Sequence, residues 1–129
     1  MSIEVQMPAS GVIKATESGD LNLKAAEQML DRVAAIAQRK ASVRILLDTR
    51  EAITHLSATD MYVLVKHLMK GNGTWARKTA IVASPKDSDK LAFFELCAQN
   101  RGVCVHIFTD YDEAMNWLSW PVMAQAIAA

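Results

Sequence analysis

The side chains best placed for chemistry are Asp48, Ser57, Ser84 and Asp110, which lie next to apolar segments of the sequence. Ligands of open parallel sheets bind beyond the carboxyl ends of the strands, so a carboxylate, a hydroxyl and a cation such as Arg50 are expected to meet there. A phosphoacceptor role for Asp48 would also require an acidic pair for Mg²⁺ and a lysine after the last strand, and neither is found. Ser57 and Asp110 have a second interpretation as helix caps, because an acidic residue follows each of them three positions later.

The histidines and cysteines show no spacing typical of metal ligands or of a nucleophile and its base. His55, His67 and His106 fall on a predicted loop, helix and strand, respectively. Cys97 and Cys104 lie inside predicted elements, not at helix N-termini where a thiolate would be stabilised. No glycine-rich phosphate-binding loop of the usual kinds occurs in the sequence. We therefore expect no catalytic residues, no metal and no cofactor, and a protein that is not an enzyme.

The composition is that of one folded domain. The chain has 129 residues, of which 51% are hydrophobic and 22% are charged, which argues against disorder. Lys and Arg total 14 and balance 14 Asp and Glu, so no global field attracts nucleic acid or an anionic membrane. No apolar run approaches the roughly 20 residues of a membrane span, and the first residues do not look like a leader, so a cytoplasmic location is expected.

The N-terminal segment predicts an antiparallel hairpin. Residues 3–7 alternate apolar and polar side chains, residues 8–11 interrupt the pattern, and residues 12–15 resume it. Ser18–Asp20 is a turn cluster. A helix capped by Asp20 or Asn22 then follows and ends at about residue 40.

Three later helices are predicted from their caps and apolar periodicity. The second begins after Ser57, carries an apolar stripe from Met61 to Met69, and ends at Gly71–Gly73. The third is capped by Asp87 or Ser88. The fourth opens at residue 110 and runs through about residue 119.

Three further apolar segments predict strands: Val43–Leu47, Lys78–Ala83 and Val103–Phe108. The first shows little alternation, as expected of a strand that helices cover on both faces. The element order predicts an α/β fold. We expect a mixed five-stranded sheet that opens with an antiparallel hairpin, has parallel later strands, and is flanked by four helices. This domain is expected to span residues 1–118, with residues 119–129 as a short apolar C-terminal tail.

The whole pattern resembles the STAS superfamily, and within it the small bacterial SpoIIAA-like (STAS/CRAL-TRIO-like) proteins. The resemblance runs over about residues 3–118 and depends on the order and spacing of several segments. These are Gly11–Ala15 with Gly19–Leu21, Val43–Asp48, Lys78–Val82, Asn100–Asp110 and Asp112–Leu118.

The resemblance implies a regulatory function without catalysis. Anti-sigma-factor antagonists of the wider family dock on a kinase partner, and phosphorylation of a serine at the start of the second helix stops that docking. Ser57 lies at the comparable place, so its phosphorylation is one hypothesis. The sequence departs from the antagonist motif here, because Leu56 precedes Ser57 where the motif has Asp, and Thr59 stands where the motif has Gly. A simple helix cap is therefore the other interpretation of Ser57.

The leading hypothesis is a module that binds a protein partner through the edge of the sheet near the start of the second helix. The contact residues predicted for it are Asp48, Arg50, Ser57 and Ser84.

The alternative is a binder of a small apolar ligand or a lipid, as the CRAL-TRIO-like resemblance suggests. Phe93 and Phe94 are adjacent on a helix and cannot both point to the same core. With Met61, they are the predicted apolar ligand residues. Self-association into a homodimer is a further hypothesis, because the third helix is apolar over more than one face.

Overall fold

Residues 2–9, 11–40, 44–70 and 78–119 are described by a computed structural model, in which five strands and four helices alternate. Their order is β1 (Ser2–Ala9), β2 (Val12–Leu21), α1 (Leu23–Ala37), β3 (Arg44–Thr54), α2 (Ala58–Met69), β4 (Thr79–Val82), α3 (Pro85–Gln99), β5 (Val105–Phe108) and α4 (Tyr111–Ser119). The strands form one sheet in the order β1-β2-β3-β4-β5. β1 is antiparallel to β2, and the other neighbours are parallel. The predicted fold is therefore confirmed.

The sheet separates two apolar cores. Helices α1, α2 and α3 pack on one face and form the larger core, whereas α4 packs on the other face against β3, β4 and β5. Adjacent residues of β3 show the division, because Ile45 and Leu47 belong to the larger core and Leu46 to the smaller one. Helices thus cover both faces of the central strands, as their continuous apolar sequence predicted.

β2 and β3 are longer than the sequence indicated. The predicted turn at Ser18–Asp20 is wrong, because these residues continue β2 and pair with β3 up to Leu21. The ladder shifts between Thr16 and Ser18, and Gly19 takes a φ of 85°, a conformation that glycine adopts at little cost. The β2–β3 ladder can contain small and polar residues here because it continues beyond the point where β4 ends and the central part of the sheet stops.

The helix boundaries also depart from prediction in places. Asn22 caps α1 by accepting a hydrogen bond from the Ala25 amide at 2.8 Å, and the helix ends at Ala37. The prediction that Asp87 or Ser88 caps α3 is wrong. The helix begins three residues after Val82, with Pro85 in its first turn, where the missing amide of proline costs nothing. The predicted end of α2 at Gly71–Gly73 and the tail after residue 119 lie outside the described residues.

Candidate functional site

Asp48 is a buried carboxylate held by a single arginine. Its side chain is 5% exposed and lies on the α4 side of the sheet. Arg50 donates to both of its oxygens, from Nε to Oδ1 at 3.0 Å and from Nη2 to Oδ2 at 2.8 Å, and the Arg50 amide donates to Oδ1 at 3.2 Å. A paired, hydrogen-bonded carboxylate is the stable form of a buried acid.

The charge on Asp48 is favoured despite its burial. Burial alone would raise the pKa of Asp48, but the hydrogen bonds and charge of Arg50, with a smaller contribution from Lys14, hold that pKa below its usual value. Both carboxylate oxygens are engaged by the arginine. Asp48 therefore orients the guanidinium of Arg50 and does not present a free nucleophile.

An open polar groove surrounds this pair. Lys14 Nζ lies 4.7 Å and Arg50 Cζ 5.5 Å from the centroid of the Tyr111 ring, at the start of α4. Cations at these distances are attracted to the face of an aromatic ring. Since α4 packs on β3–β5, the neighbouring part of this face is left with polar side chains. The groove is lined by Glu4, Gln6, Lys14, Thr16, Asp48, Arg50 and Glu51.

Ser57 is the N-cap of α2 and forms a complete capping box. Its hydroxyl accepts a hydrogen bond from the Asp60 amide at 3.0 Å, and the Asp60 carboxylate accepts one from the Ser57 amide at 3.0 Å. Both residues were predicted as this motif from their spacing. Ser57 and Ala58 are exposed, so a second molecule can reach the start of α2.

Ser84 occupies the corresponding position at the start of α3 but makes a different contact. It is the N-cap residue, yet its side chain accepts no hydrogen bond from the helix. Its hydroxyl instead donates to the carboxylate of Asp87 at 3.2 Å. Asp87 is 8% exposed and lies in the first turn of α3, where a negative charge is favourable.

The four predicted contact residues fall into two groups. Ser57 and Ser84 begin α2 and α3, which pack side by side on one face of the sheet. Asp48 and Arg50 lie on the other face. The expectation that Asp48 ends its strand is wrong, because β3 continues to Thr54. Asp48 instead lies opposite Val82, where β4 ends.

The structure keeps the histidines apart. His55 pairs with Asp20 at 3.0 Å, His67 with Asp31 at 2.6 Å, and the carboxylate of Glu95 is 3.5 Å from His106. Glu27 also lies 3.6 Å from Nδ1 of His67, so each histidine contacts its own carboxylate partners. Among the residues that the structure describes, no group of three or more His, Cys, Asp or Glu side chains could hold a metal ion.

Cys104 and Asp110 also have ordinary structural roles. Burial raises the pKa of the Cys104 thiol, so a thiolate is not favoured there. Asp110 caps α4 by accepting hydrogen bonds from the amides of Asp112 at 2.8 Å and Glu113 at 3.4 Å.

A small cavity lies between the sheet and the three helices. Its volume is about 40 Å³, enough for a few water molecules and well below the roughly 150 Å³ that accommodates benzene. Met61 and Phe94, two of the predicted apolar ligand residues, line it. Phe93 points elsewhere and is 43% exposed.

Sequence reasoning missed two buried charged side chains. Glu17 is fully buried on β2, and neither of its carboxylate oxygens has a hydrogen-bond partner in the described part of the chain. Burial raises the pKa of Glu17 to about 7. Lys78, 1% exposed, donates from Nζ to the carbonyl oxygen of Trp117 at 2.6 Å and so places a cation at the C-terminal end of α4. Only the predicted strand position of Lys78 hinted at its burial.

The fold and the capped start of α2 define a STAS-type α/β domain. A family model described as SpoIIAA-like matches residues 12–119. The match covers most of the chain, and this protein therefore belongs to the SpoIIAA-like family. A comparison with curated protein sequences gives no match.

Solved structures share the fold at low sequence identity. The anti-sigma factor antagonist SpoIIAA in its unphosphorylated form is similar with a TM-score of 0.56 and 16% identity, over 91% of this chain and 97% of that chain. The phosphorylated form of SpoIIAA, a Bacillus cell fate determinant, is similar with a TM-score of 0.56 and 13% identity, over 91% of this chain and 99% of that chain. An uncharacterised protein with a SpoIIAA-like fold from Shewanella loihica PV-4 is similar with a TM-score of 0.59 and 17% identity, over 91% of this chain and 92% of that chain.

Within the described residues, none of the helices combines the length and apolar character that crossing a bilayer requires.

Proposed function

We propose that this protein is a non-enzymatic regulatory module that binds a protein partner through the start of α2. The observation that carries the proposal is the exposed, fully formed capping box at Ser57, in a chain of the SpoIIAA-like family. The similar structures include an anti-sigma factor antagonist in unphosphorylated and phosphorylated forms. Its regulatory role is transferred here as a proposal, and the cytoplasm is its proposed location.

The proposed contact surface combines rigid helix starts with an oriented cation. Ser57 and Ser84 begin two neighbouring helices, and each side chain forms a hydrogen bond with the first turn of its own helix. Arg50, whose side chain is 43% exposed, is oriented by Asp48 on the other face of the sheet. A partner that grips this edge would contact the two helix starts from one side and the guanidinium from the other.

Phosphorylation of Ser57 would act on this surface through charge. A phosphate carries nearly two negative charges at neutral pH and is favoured near a helix N-terminus. Here the Asp60 carboxylate already holds the Ser57 amide at 3.0 Å, so the new charge would repel that carboxylate. The result would be a bulky, doubly acidic helix start in place of a compact neutral hydroxyl, which would weaken a contact built on the unmodified surface.

Affinity capture with matched charge variants tests this proposal. The full chain and its Ser57→Glu and Gln28→Glu variants would be used to capture proteins from native extract, with quantitative mass spectrometry of the eluates. Gln28 is exposed on α1, away from the start of α2, and its substitution introduces the same charge. We expect a protein that is recovered with the wild-type chain and with Gln28→Glu but is depleted with Ser57→Glu. Repeated recovery of no specific protein, or equal recovery with all three chains, would contradict the proposal.

A further inference from the structure

The outer faces of α2 and α3 expose large apolar side chains. Met69 is 54% exposed and Tyr62 40% on α2, while Leu96 is 58% exposed and Phe93 43% on α3. Single exposed apolar residues are ordinary on protein surfaces. These four belong to two helices that pack against each other, so they form part of one surface.

The same two helices, with the residues just after them, carry several exposed cations. We define the basic α2–α3 surface by the four apolar side chains together with the exposed cations on these helices and just after α3, which are Lys66, Lys70, Lys86, Lys90 and Arg101. In the ranges that the structure describes, none of these cations forms an ion pair.

The acidic residues of α2 and α3 are mostly engaged elsewhere. Asp60 belongs to the capping box, Asp87 accepts from Ser84, and Glu95 accepts from the Ile107 amide at 2.6 Å. Asp89 is the remaining exposed acid on these helices. On the basic α2–α3 surface, five exposed cations thus stand against one exposed acid, although the whole chain has a net charge of zero. The balanced composition conceals this segregation of charge.

Contacts of Arg101 show that the surface is continuous across the two helices. Its guanidinium lies 5.1 Å from the centroid of the Tyr62 ring, and Lys66 Nζ lies 5.0 Å from the same ring. Arg101 also donates to the Cys97 carbonyl oxygen at 3.4 Å, next to Leu96. A groove lined by Lys66, Met69, Lys70 and Arg101 joins these side chains, and Glu27 and His67 line its α1 side.

An acidic border limits the surface on the α1 side. Glu27, Asp31 and His67 meet there, with His67 Nε2 2.6 Å from Asp31 and Nδ1 3.6 Å from Glu27. Negative charge therefore adjoins the surface on its α1 side.

We infer that the basic α2–α3 surface docks on membranes that contain anionic phospholipids. The lysines and arginine would lie among the lipid headgroups, and the apolar side chains would enter the outer part of the acyl layer. Met69 and Leu96 favour lipid over the phosphate backbone of a nucleic acid or an acidic peptide, because these highly exposed aliphatic chains gain most from leaving water for hydrocarbon. This surface adjoins the proposed partner-binding edge at Lys86, two residues after Ser84, but it extends along α2 and α3 to Arg101, so the inference goes beyond that function.

Vesicle co-sedimentation of the full chain tests the charge requirement. We expect binding to vesicles of phosphatidylcholine with one third phosphatidylglycerol, weakening as salt screens the charges, and little binding to phosphatidylcholine alone. Lys66→Gln with Lys70→Gln should weaken binding roughly 30-fold, which corresponds to about 1 kcal/mol for each lysine. The control pair, Lys24→Gln with Arg39→Gln, removes two exposed cations of the α1 region and should bind like the wild-type chain.

A second pair of variants tests the apolar requirement. Phe93→Ser with Leu96→Ser should reduce vesicle binding about tenfold or more, since two exposed apolar side chains are lost from the docking surface. The control, Met7→Ser with Ile53→Ser, changes two apolar side chains that are also exposed but lie on β1 and β3. Circular dichroism would show that every variant retains the fold.

Three outcomes would overturn the inference. The first is equal binding to neutral and anionic vesicles, and the second is equal loss in the test and control variants. The third is the absence of vesicle binding while an acidic peptide or an oligonucleotide binds through Lys66 and Lys70. That last result would assign the basic α2–α3 surface to a different class of partner.

Discussion

Among single residues, the buried carboxyl of Glu17 has the clearest consequence for the behaviour of the protein. It is fully buried, and both of its oxygens are unpaired in the described residues. Removing a carboxylate from water without a hydrogen bond favours the protonated form. This explains why the pKa of Glu17 is raised from 4.5 to about 7.

The raised pKa predicts that the folded protein loses stability as the pH rises. Between pH 4.5 and 7 the folded state holds a proton on Glu17 that the unfolded state has released, so the free energy of unfolding falls as the pH approaches 7 and levels off above it. The loss amounts to about 3 kcal/mol at most. Glu17→Gln, which cannot titrate, should flatten this part of the profile in urea denaturation measured from pH 5 to 8.

Glu4→Gln provides the control for this experiment. Glu4 is an exposed glutamate on the neighbouring strand β1, and its substitution should leave the slope of the wild-type profile unchanged. Identical slopes for the wild-type chain and Glu17→Gln would show that Glu17 does not titrate in this range.

The sequence indicated which polar residues lie near the sheet edge but not how they are used. Asp48 was recognised as a candidate because it follows a buried apolar run. Its pairing with Arg50 depends on β3 continuing beyond it, which places residues 48 and 50 on the same face of the strand. The burial of Glu17 depends on how α1 and β1 pack around β2, and no local pattern reports that.

Among the elements, α2 has the start that the sequence specifies most directly. A serine followed three residues later by an acid forms the capping box in the structure, and both hydrogen bonds are 3.0 Å long. These bonds satisfy backbone amides that the first turn of a helix would otherwise leave without partners.

Ser57→Ala should therefore lower the free energy of unfolding by about 1 kcal/mol, because it removes the acceptor for the Asp60 amide. Chemical denaturation at pH 7 measures this change. Ser88→Ala is the matched control, since Ser88 lies within α3 and its hydroxyl donates only to the Pro85 carbonyl oxygen. Its effect should stay within about 0.5 kcal/mol. An effect of Ser57→Ala no larger than that of Ser88→Ala would mean that the cap contributes little to stability.

The elements that were predicted poorly are those whose ends depend on distant partners. Ser18–Asp20 has the composition of a turn, yet it continues β2 because β3 offers a parallel ladder to the same length. For α3, the candidate caps Asp87 and Ser88 fit the local pattern, but the helix begins at Pro85. Periodicity and capping motifs describe short stretches of chain, whereas these boundaries are decided by pairing and packing across the sheet.

For the whole molecule, the size of the internal cavity helps to distinguish a protein-binding module from a binder of a lipid or a small apolar ligand. At about 40 Å³ it cannot hold an acyl chain unless the helices move away from the sheet. Native mass spectrometry of freshly purified protein should therefore give the mass of the polypeptide without an apolar ligand. A stoichiometric added mass that is lost on denaturation would support the alternative of a lipid or small-molecule binder.

The two proposed interaction surfaces extend over different parts of α2 and α3. The partner-binding edge lies at the starts of α2 and α3, whereas the basic α2–α3 surface runs along their outer faces to Arg101. The family, the fold and the overall neutrality were all available from the sequence. The excess of exposed cations on α2 and α3 was not, because it depends on which acidic side chains their hydrogen bonds draw away from the exposed faces of these helices.

Site-specific photo-crosslinking tests the central claim most directly. A photoreactive amino acid would replace Ala58, exposed at the start of α2, and in a parallel chain Ala35, exposed on α1. After irradiation in cells, the Ala58 chain should form a specific covalent adduct with one protein, and the Ala35 chain should not. Ser57→Glu in the Ala58 chain should abolish that adduct. Absence of any adduct at Ala58, or the same adducts at both positions, would contradict a protein-binding site at the start of α2.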